Sequence, residues 1–416
     1  MPSKDSSMGE CYINRLPIEL LATILEEHSV LELRAPFIDS QVCSRWHKTT
    51  QYWPRVWSYI TMRSITEHGV PVNQFKAILE RSGASPLQVN LEYPDTAILL
   101  GISSRMLFHR PTITRIQVLL LKGMLPDDIR VMEGMLNLRT LQLMGVNWRG
   151  AIEFLLGTKS FPLLNELVVH RMGLLPRVAL ESPVPLRTIS FYYIEHIEWV
   201  KILAACRETL VEIFLCRCRL PPPTEIHLPN LKFLALSNML NFRNDIVAPG
   251  LITFHEHLES LAPLKLPFVF SSITEYACRV PSPFVGDETL LAEDAFPNLE
   301  RFVLWGTWLR IRDVLRELVS HLYAVPKLKT IELATENGLD LSDNQWAELE
   351  KLVGNTPLSS VLKRRTDSRA SYARLRFSLV RGSSVIAIYI LIPPLDTMAS
   401  HQSLNSTTSI LVTRSI

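Results

Sequence analysis

The sequence lacks any apolar run long enough to cross a bilayer as a helix. Its best stretch, Val385–Ile392 (VIAIYILI), is under half of the roughly 20 residues that such a span needs. An excess of one charge is missing too, since 43 basic residues stand against 41 acidic ones. That balance argues against a dedicated nucleic-acid binder, whose mark is a strongly basic domain. Glycine is sparse at 16 residues, and the six cysteines are scattered. The opening MPSKDSSMGECYINR has no apolar stretch of the kind a signal peptide carries. Reduced thiols and a cytoplasmic or nuclear location are therefore expected, with no membrane partner. None of G-x-S-x-G, H-E-x-x-H or G-x-G-x-x-G occurs, so the chain reads as a non-enzyme with no cofactor. Gly157–Ser160 echoes the end of a phosphate-binding loop, but Ile152 stands where its upstream glycine belongs. What is abundant is hydrophobic residues, at 47%, and leucine above all, with 65 residues. A wholly disordered chain is excluded by the first figure, and the second invites a search for repeats.

Ile13–Met62 differs from all that follows. Leu16-Pro17 opens a helix, because proline suits a first turn whose N–H groups have no intrahelical partner. Leu20, Leu21, Ile24 and Leu25 recur at helical spacing. A second helical stretch brings Val42, Cys43 and Trp46 together, Trp53-Pro54 breaks it, and Trp57 follows. Some 50 residues is near the lower limit for a self-sufficient core, so the module gains by packing on a partner. The ordered set Leu16-Pro17, Glu19-Leu20, Val42-Cys43, Trp46 and Trp57 resembles the F-box. The resemblance implies docking on the Skp adaptor of cullin-based SCF ubiquitin ligases. It places Leu16, Pro17, Leu20, Leu21, Ile24, Val42 and Trp46 at the adaptor interface. Arg34-Ala35-Pro36-Phe37 departs from the family, which commonly has a polar inter-helix stretch there.

Past residue 110 a pattern L-x-x-L-x-L keeps returning. It is clear at Leu138/Leu141/Leu143, Leu164/Leu167/Val169, Leu186/Ile189/Phe191 and Leu210/Ile213/Leu215. Leu231/Leu234/Leu236, Leu299/Phe302/Leu304 and Leu328/Ile331/Leu333 continue it, and weaker copies begin at Ile113, Leu251 and Ile273. Successive starts lie 20 to 29 residues apart, the spacing of leucine-rich repeats. The alternating core of each copy is a short strand with one buried face, and helix-like stretches lie between copies at Asp127–Leu136, Arg149–Leu156, His196–Cys206 and Ile311–Tyr323. A strand and a helix cannot bury their apolar faces alone, so neighbouring units are expected to stack. Prolines fall between units, and Ser342-x-x-Gln345 reads as a capping box for a last helix.

The expected fold is therefore α/β: a small all-α F-box over 10–62, then a leucine-rich-repeat solenoid over 111–355. Residues 63–110 connect and cap the repeats, with a helix over Val72–Arg81 and a strand over Leu87–Leu91. Residues 356–416, with 15 Ser or Thr after position 365 and no repeat signature, read as a poorly ordered tail. An F-box followed by such repeats resembles a large fungal class in which the repeats recruit the protein to be ubiquitinated. The function implied is substrate receptor of an SCF-type ligase, with the Skp adaptor, a cullin and an unknown protein substrate as partners. An interaction scaffold acting outside a ligase is the alternative.

Two clusters resemble metal sites and are read otherwise. Cys218 falls at the ninth position of its repeat, where the pattern asks for Asn or Cys. His255-Glu256-His257 lacks further ligands at convincing spacing. Residues between the buried strand positions point the other way, and in a stacked array they line the binding face. His170, Tyr192, Phe214, His255, Arg279 and Trp305 are the substrate-binding candidates on that face, which reads as nearly free of acidic groups.

Overall fold

A computed structural model describes residues 15–62, 71–93, 106–123, 134–145, 161–171, 185–194, 199–219, 225–239, 246–257, 271–280, 296–320, 325–335 and 342–354, together with the backbone of 362–363, 374–381, 384–391 and 410–414. The chain divides into two compact units, Met1–Ile213 with Arg217–Pro222 and Phe214–Cys216 with Pro223–Ile416. Among the described residues no helix is long and apolar enough to cross a membrane.

The first unit begins with helices α1 (Ile18–Leu31), α2 (Ala35–Asp39) and α3 (Ser44–Tyr52), then a 3₁₀ turn at Pro54–Trp57. Pro17 caps α1, and its carbonyl accepts from the Leu21 amide at 3.1 Å. Leu21, Ala22 and Leu25 are fully buried beneath α1. The Arg34–Phe37 segment opens α2: Pro36 sits in its first turn and Phe37 meets the Trp57 ring edge-on at 5.0 Å. Trp57 is itself buried, donates to the Thr50 carbonyl at 2.6 Å and carries the Arg81 guanidinium over its face. Arg81 ends α4 (Val72–Arg81), the helix expected there.

Strand β1 (Tyr59–Met62) follows Trp57 directly. β2 (Leu87–Tyr93), β3 (Ile116–Gly123), β4 (Thr140–Met144), β5 (Glu166–His170) and β6 (Thr188–Tyr192) then add in sequence order, each parallel to the last. Register stacks Leu119, Leu141, Leu167 and Ile189 in one buried row, and Leu121, Leu143, Val169 and Phe191 in the next. The strong repeat copies thus hold their expected positions. The copy expected from Ile113 does not: Ile116 starts it, and Leu119 and Leu121 form its buried pair. The stretch Val118–Leu121 is apolar throughout, so alternation alone cannot choose a face, and pairing with β2 and β4 fixes the register.

In the second unit β7 (Glu212–Cys216), β9 (Phe233–Ser237), β11 (Thr253–His257), β12 (Glu275–Val280), β13 (Arg301–Gly306), β14 (Thr330–Thr335) and β15 (Leu362–Lys363) follow the same rule, with β8 (Ile226–His227) and β10 (Ile246–Val247) pairing separately. Only Phe214–Cys216 of β7 belongs to this unit. Its core is more aromatic. Phe254, Tyr276 and Phe302 stack ring on ring at 5.5 and 5.7 Å. Helices Trp199–Ala205 and Trp308–Ser320 lie within or beside two of the expected stretches. Arg149–Leu156, Gly157–Ser160 and residues 127–133 lie outside the described residues. The capping box is present, with Gln345 N donating to Ser342 Oγ at 3.3 Å and Ser342 N to Gln345 Oε1 at 2.9 Å. In the tail the backbone of β16 (Arg374–Arg381), β17 (Ser384–Leu391) and β18 (Ile410–Arg414) forms an antiparallel sheet.

Three backbone devices repeat. Prolines 162, 229, 249, 297 and 326 each occupy the second place of a turn whose closing leucine donates to the carbonyl three residues back, at 3.1–3.2 Å. Proline's fixed φ suits that place. Before seven of the described strands one carbonyl accepts two amides from the next repeat, as Arg139 does from Asn165 and Glu166 at 3.0 Å. After the strands, Gly145, Arg171, Tyr193, Arg217 and Asn238 hold φ between 50 and 61°. The amides of Gly145, Arg171 and Asn238 there donate to the carbonyl ending the next strand, at 2.8 Å each. For a residue other than glycine this conformation costs about 1–2 kcal/mol.

Candidate functional site

Two kinds of surface carry the candidate residues. On the helical module, the amphipathic spacing of α1 turns Leu21 and Leu25 inward and leaves Pro17, Leu20 and Ile24 outside. Leu20 and Ile24 are 49% and 44% exposed, and Val42, between α2 and α3, is 58% exposed. Leu16 and Trp46 are half-buried, and the Arg45 guanidinium donates to the Leu16 carbonyl, tying the start of α1 to α3. Leu21 is the exception among the adaptor-binding candidates. It is fully buried, because it lies on the inward side of the helix beside Leu25, and it has no surface to offer a partner. Ile38 and Leu31 are exposed apolar residues that the motif did not single out.

Two polar pairs cross this module. His28 Nδ1 contacts both carboxylate oxygens of Asp39 at 3.0 and 3.1 Å, and Trp53 Nε1 donates to Glu26 Oε1 at 2.6 Å. Burial raises the Asp39 carboxyl, against the lowering effect of the His28 hydrogen bond.

On the first unit's strand face His170 is half-buried, and its ring lies 5.8 Å from Tyr192 and 5.4 Å from Tyr193. Burial, with the Arg171 charge beside it, pushes the imidazole down to about 4. Tyr192 is only 3% exposed. A large side chain on a neighbouring strand about 4.8 Å away shades it, which makes Tyr192 a wall of this face rather than a free anchor. The face also carries carboxylates, contrary to expectation. Thr140 Oγ1 donates to Glu166 Oε2 at 3.0 Å, and Thr188 Oγ1 to Glu212 Oε2 at 3.5 Å. Burial pushes Glu166 up to about 7, helped by Glu212 and opposed by the Thr140 hydrogen bond, and burial raises Glu212 as well.

The second unit's face runs from aromatic to ionic. Phe214 is buried and meets Phe233 at 4.8 Å, and Phe233 meets His255 at 4.9 Å. His255 lies 3.6 Å from Glu275, and Arg301 bridges Glu275 at 2.8 Å and Glu332 at 3.0 Å. The polar contact with the His255 imidazole and the Arg301 charge hold the Glu275 carboxyl below its ordinary range despite burial. Arg279 and Trp305 are backbone partners in the register of β12 and β13.

Glu166, Glu212, Phe233, Glu275 and Arg301 all occupy the residue directly before the first buried strand position, one step ahead of the residues expected from sequence. The two-residue period of a strand, carried one period further back, finds them. Cys218 is buried and donates to the Phe191 carbonyl at 3.4 Å. Glu256, between the two histidines, points into the core and accepts from Tyr276 Oη at 3.2 Å. Among the described residues no group of three or more His, Cys, Asp or Glu is placed to hold a metal. No protein-family model matches the chain, and a search of the curated proteins finds no match.

Proposed function

We propose that the chain is the substrate-recognition subunit of an SCF-type cullin-RING ubiquitin ligase, non-catalytic in itself. In this reading the helical module is an F-box that docks the Skp adaptor, and the parallel strands are leucine-rich repeats that hold a protein substrate. The observation that carries it is the exposed apolar stripe Pro17, Leu20 and Ile24, joined by Val42, on the helical module. These are motif residues of the F-box resemblance, and each side chain buried on docking contributes on the order of 1.5–3 kcal/mol. The repeat spacing and the parallel register support the second half.

The test is capture of purified Skp adaptor and cullin by the full chain and by Leu20→Ala with Ile24→Ala. Both residues are exposed, so the variant keeps its fold, and capture should fall roughly tenfold or more. Undiminished capture by the variant, or no capture by the natural chain, overturns the reading.

A further inference from the structure

The middle residues of the first unit's strands form one row across the sheet. Register places Asn90, Leu120, Gln142, Val168 and Ser190 side by side on β2 to β6. Polar and apolar side chains alternate from strand to strand along it, and none of the five is charged. Asn90 Oδ1 and Ser190 Oγ are buried without a hydrogen-bond partner, and among the described residues the Gln142 side chain has none either. Asn90, Leu120 and Gln142 are half-buried, Val168 is 7% exposed and Ser190 is closed over, so the row sinks toward β6. Two residues later Met144, His170 and Tyr192 stand along one side of the row, the last two ring to ring.

Neighbouring strands lie about 4.8 Å apart, which sets Asn90 and Gln142 about 9.6 Å from one another, and Leu120 and Val168 likewise. A polyproline II helix repeats every three residues, or about 9.3 Å, and makes no internal hydrogen bonds, so its carbonyls are free to accept. An extended strand repeats on one side about every 6.6 Å, and an α-helix uses its carbonyls on its own N–H groups. We infer that the row binds a proline-rich protein segment in the polyproline II conformation, lying across the strands. Asn90 and Gln142 donate to carbonyls one turn apart, and proline rings rest on Leu120 and Val168 beside the aromatic wall, the kind of surface that recognises this helix. A row without Lys or Arg has no group to neutralise the phosphates of a nucleic acid. The inference rests on the reading of the strands as the partner-binding face and is independent of adaptor docking.

The experiment measures fluorescence anisotropy of labelled hexaproline, about 19 Å long in this conformation, titrated with the full chain beside a labelled Gly-Ser peptide of equal length. The variants are Asn90→Ala with Gln142→Ala and, separately, Gln142→Glu. The fold makes no hydrogen bond with either amide among the described residues, so melting temperatures should not fall. Glutamate keeps the shape of glutamine but, once ionised, only accepts hydrogen bonds, and this single change carries the test should the double variant unfold. The expected result is saturable binding of hexaproline, equal at low and high salt, weakened roughly tenfold in the double variant and about fivefold or more by Gln142→Glu. No saturable binding, equal binding of the Gly-Ser peptide, loss of binding in high salt, or unchanged affinity in the variants overturns the proposal. Both variants should capture the adaptor at the natural level. Failure of hexaproline with adaptor capture intact removes this inference alone, and hexaproline binding without adaptor capture removes the ligase reading alone.

Discussion

Replacing Glu166 with glutamine separates the effect of burying a charge from the effect of filling the space. The two side chains have one shape, and the amide oxygen can accept from Thr140 Oγ1 as the carboxylate does at 3.0 Å. Burial pushes the Glu166 carboxyl up to about 7, from an ordinary value of 4.5. The folded value is the raised one, so between these limits the folded chain holds a proton that the unfolded chain has released. Stability from this group is therefore full below about pH 4.5 and is lost as pH rises toward 7. A tenfold change in proton affinity is worth about 1.36 kcal/mol, which makes the whole loss about 3 kcal/mol. Roughly 2.5 kcal/mol of it falls between about pH 5 and pH 8. Glu166→Gln has no proton to lose. Urea unfolding of both chains, followed by circular dichroism across that range, should show the difference in stability swinging toward the variant as pH rises. Titrating groups that do not interact with Glu166 are common to both chains and cancel in the difference, whereas Glu212, which helps raise Glu166, is relieved in the variant. A difference that stays flat with pH refutes the argument that Glu166 is a desolvated acid.

The remaining predictions concern the strands of both units. Leu234 is buried in the row shared with Phe254, so Leu234→Ala should cost about 2–5 kcal/mol in thermal melting. Gln142→Ala, on the opposite face of a strand, should stay within about 0.5 kcal/mol, and equal losses for the two changes would refute the register. Arg301→Met leaves Glu275 and Glu332 without their shared cation. Because Arg301 is partly exposed, the loss should be about 1 kcal/mol or less and should shrink in high salt. Glu275 is held below its ordinary range, so its contribution is present above about pH 4.5 and disappears on acidification. The variant should show less of that acid-side loss in melting scans.

The strands were legible because L-x-x-L-x-L ties their period to turn signals. Leu141 and Leu143, or Leu234 and Leu236, alternate with smaller or polar neighbours and so declare a face. Val118–Leu121 is apolar at every step, and there only the pairing partners decide. The acidic residues of the strand face escaped because Glu166, Glu212 and Glu275 precede the buried pair, in a place that reads as turn. Arg171, Tyr193 and Arg217 escaped for a different reason. Gly145 and Asn238 are residue types that announce positive φ, whereas arginine and tyrosine adopt it only when a repeating hydrogen-bond pattern imposes it. In the helical module the start of α1 after Pro17 was legible, but Val42 and Cys43 lie between α2 and α3 rather than in a helix and Tyr59–Met62 is a strand, while Leu21 shows that a motif names residues without dividing them between core and surface.

Trp57 closes the helical module and β1 begins two residues later, with the Ser58 carbonyl between them already accepting from Gln88 of β2 at 3.0 Å. Thr61 reaches back to the Val30 carbonyl of α1 at 3.4 Å. No tether separates these parts of the first unit. A flexible linker would let a partner held on α1 sample a volume that grows with its length, and the local concentration of that partner at the strands would fall accordingly. Here the reach is set by covalent geometry. Two molecules gripped by the first unit, one at the helices and one at the strands, would meet at a fixed separation, and lengthening the Trp57–β1 junction by a few glycines would convert that fixed distance into a distribution.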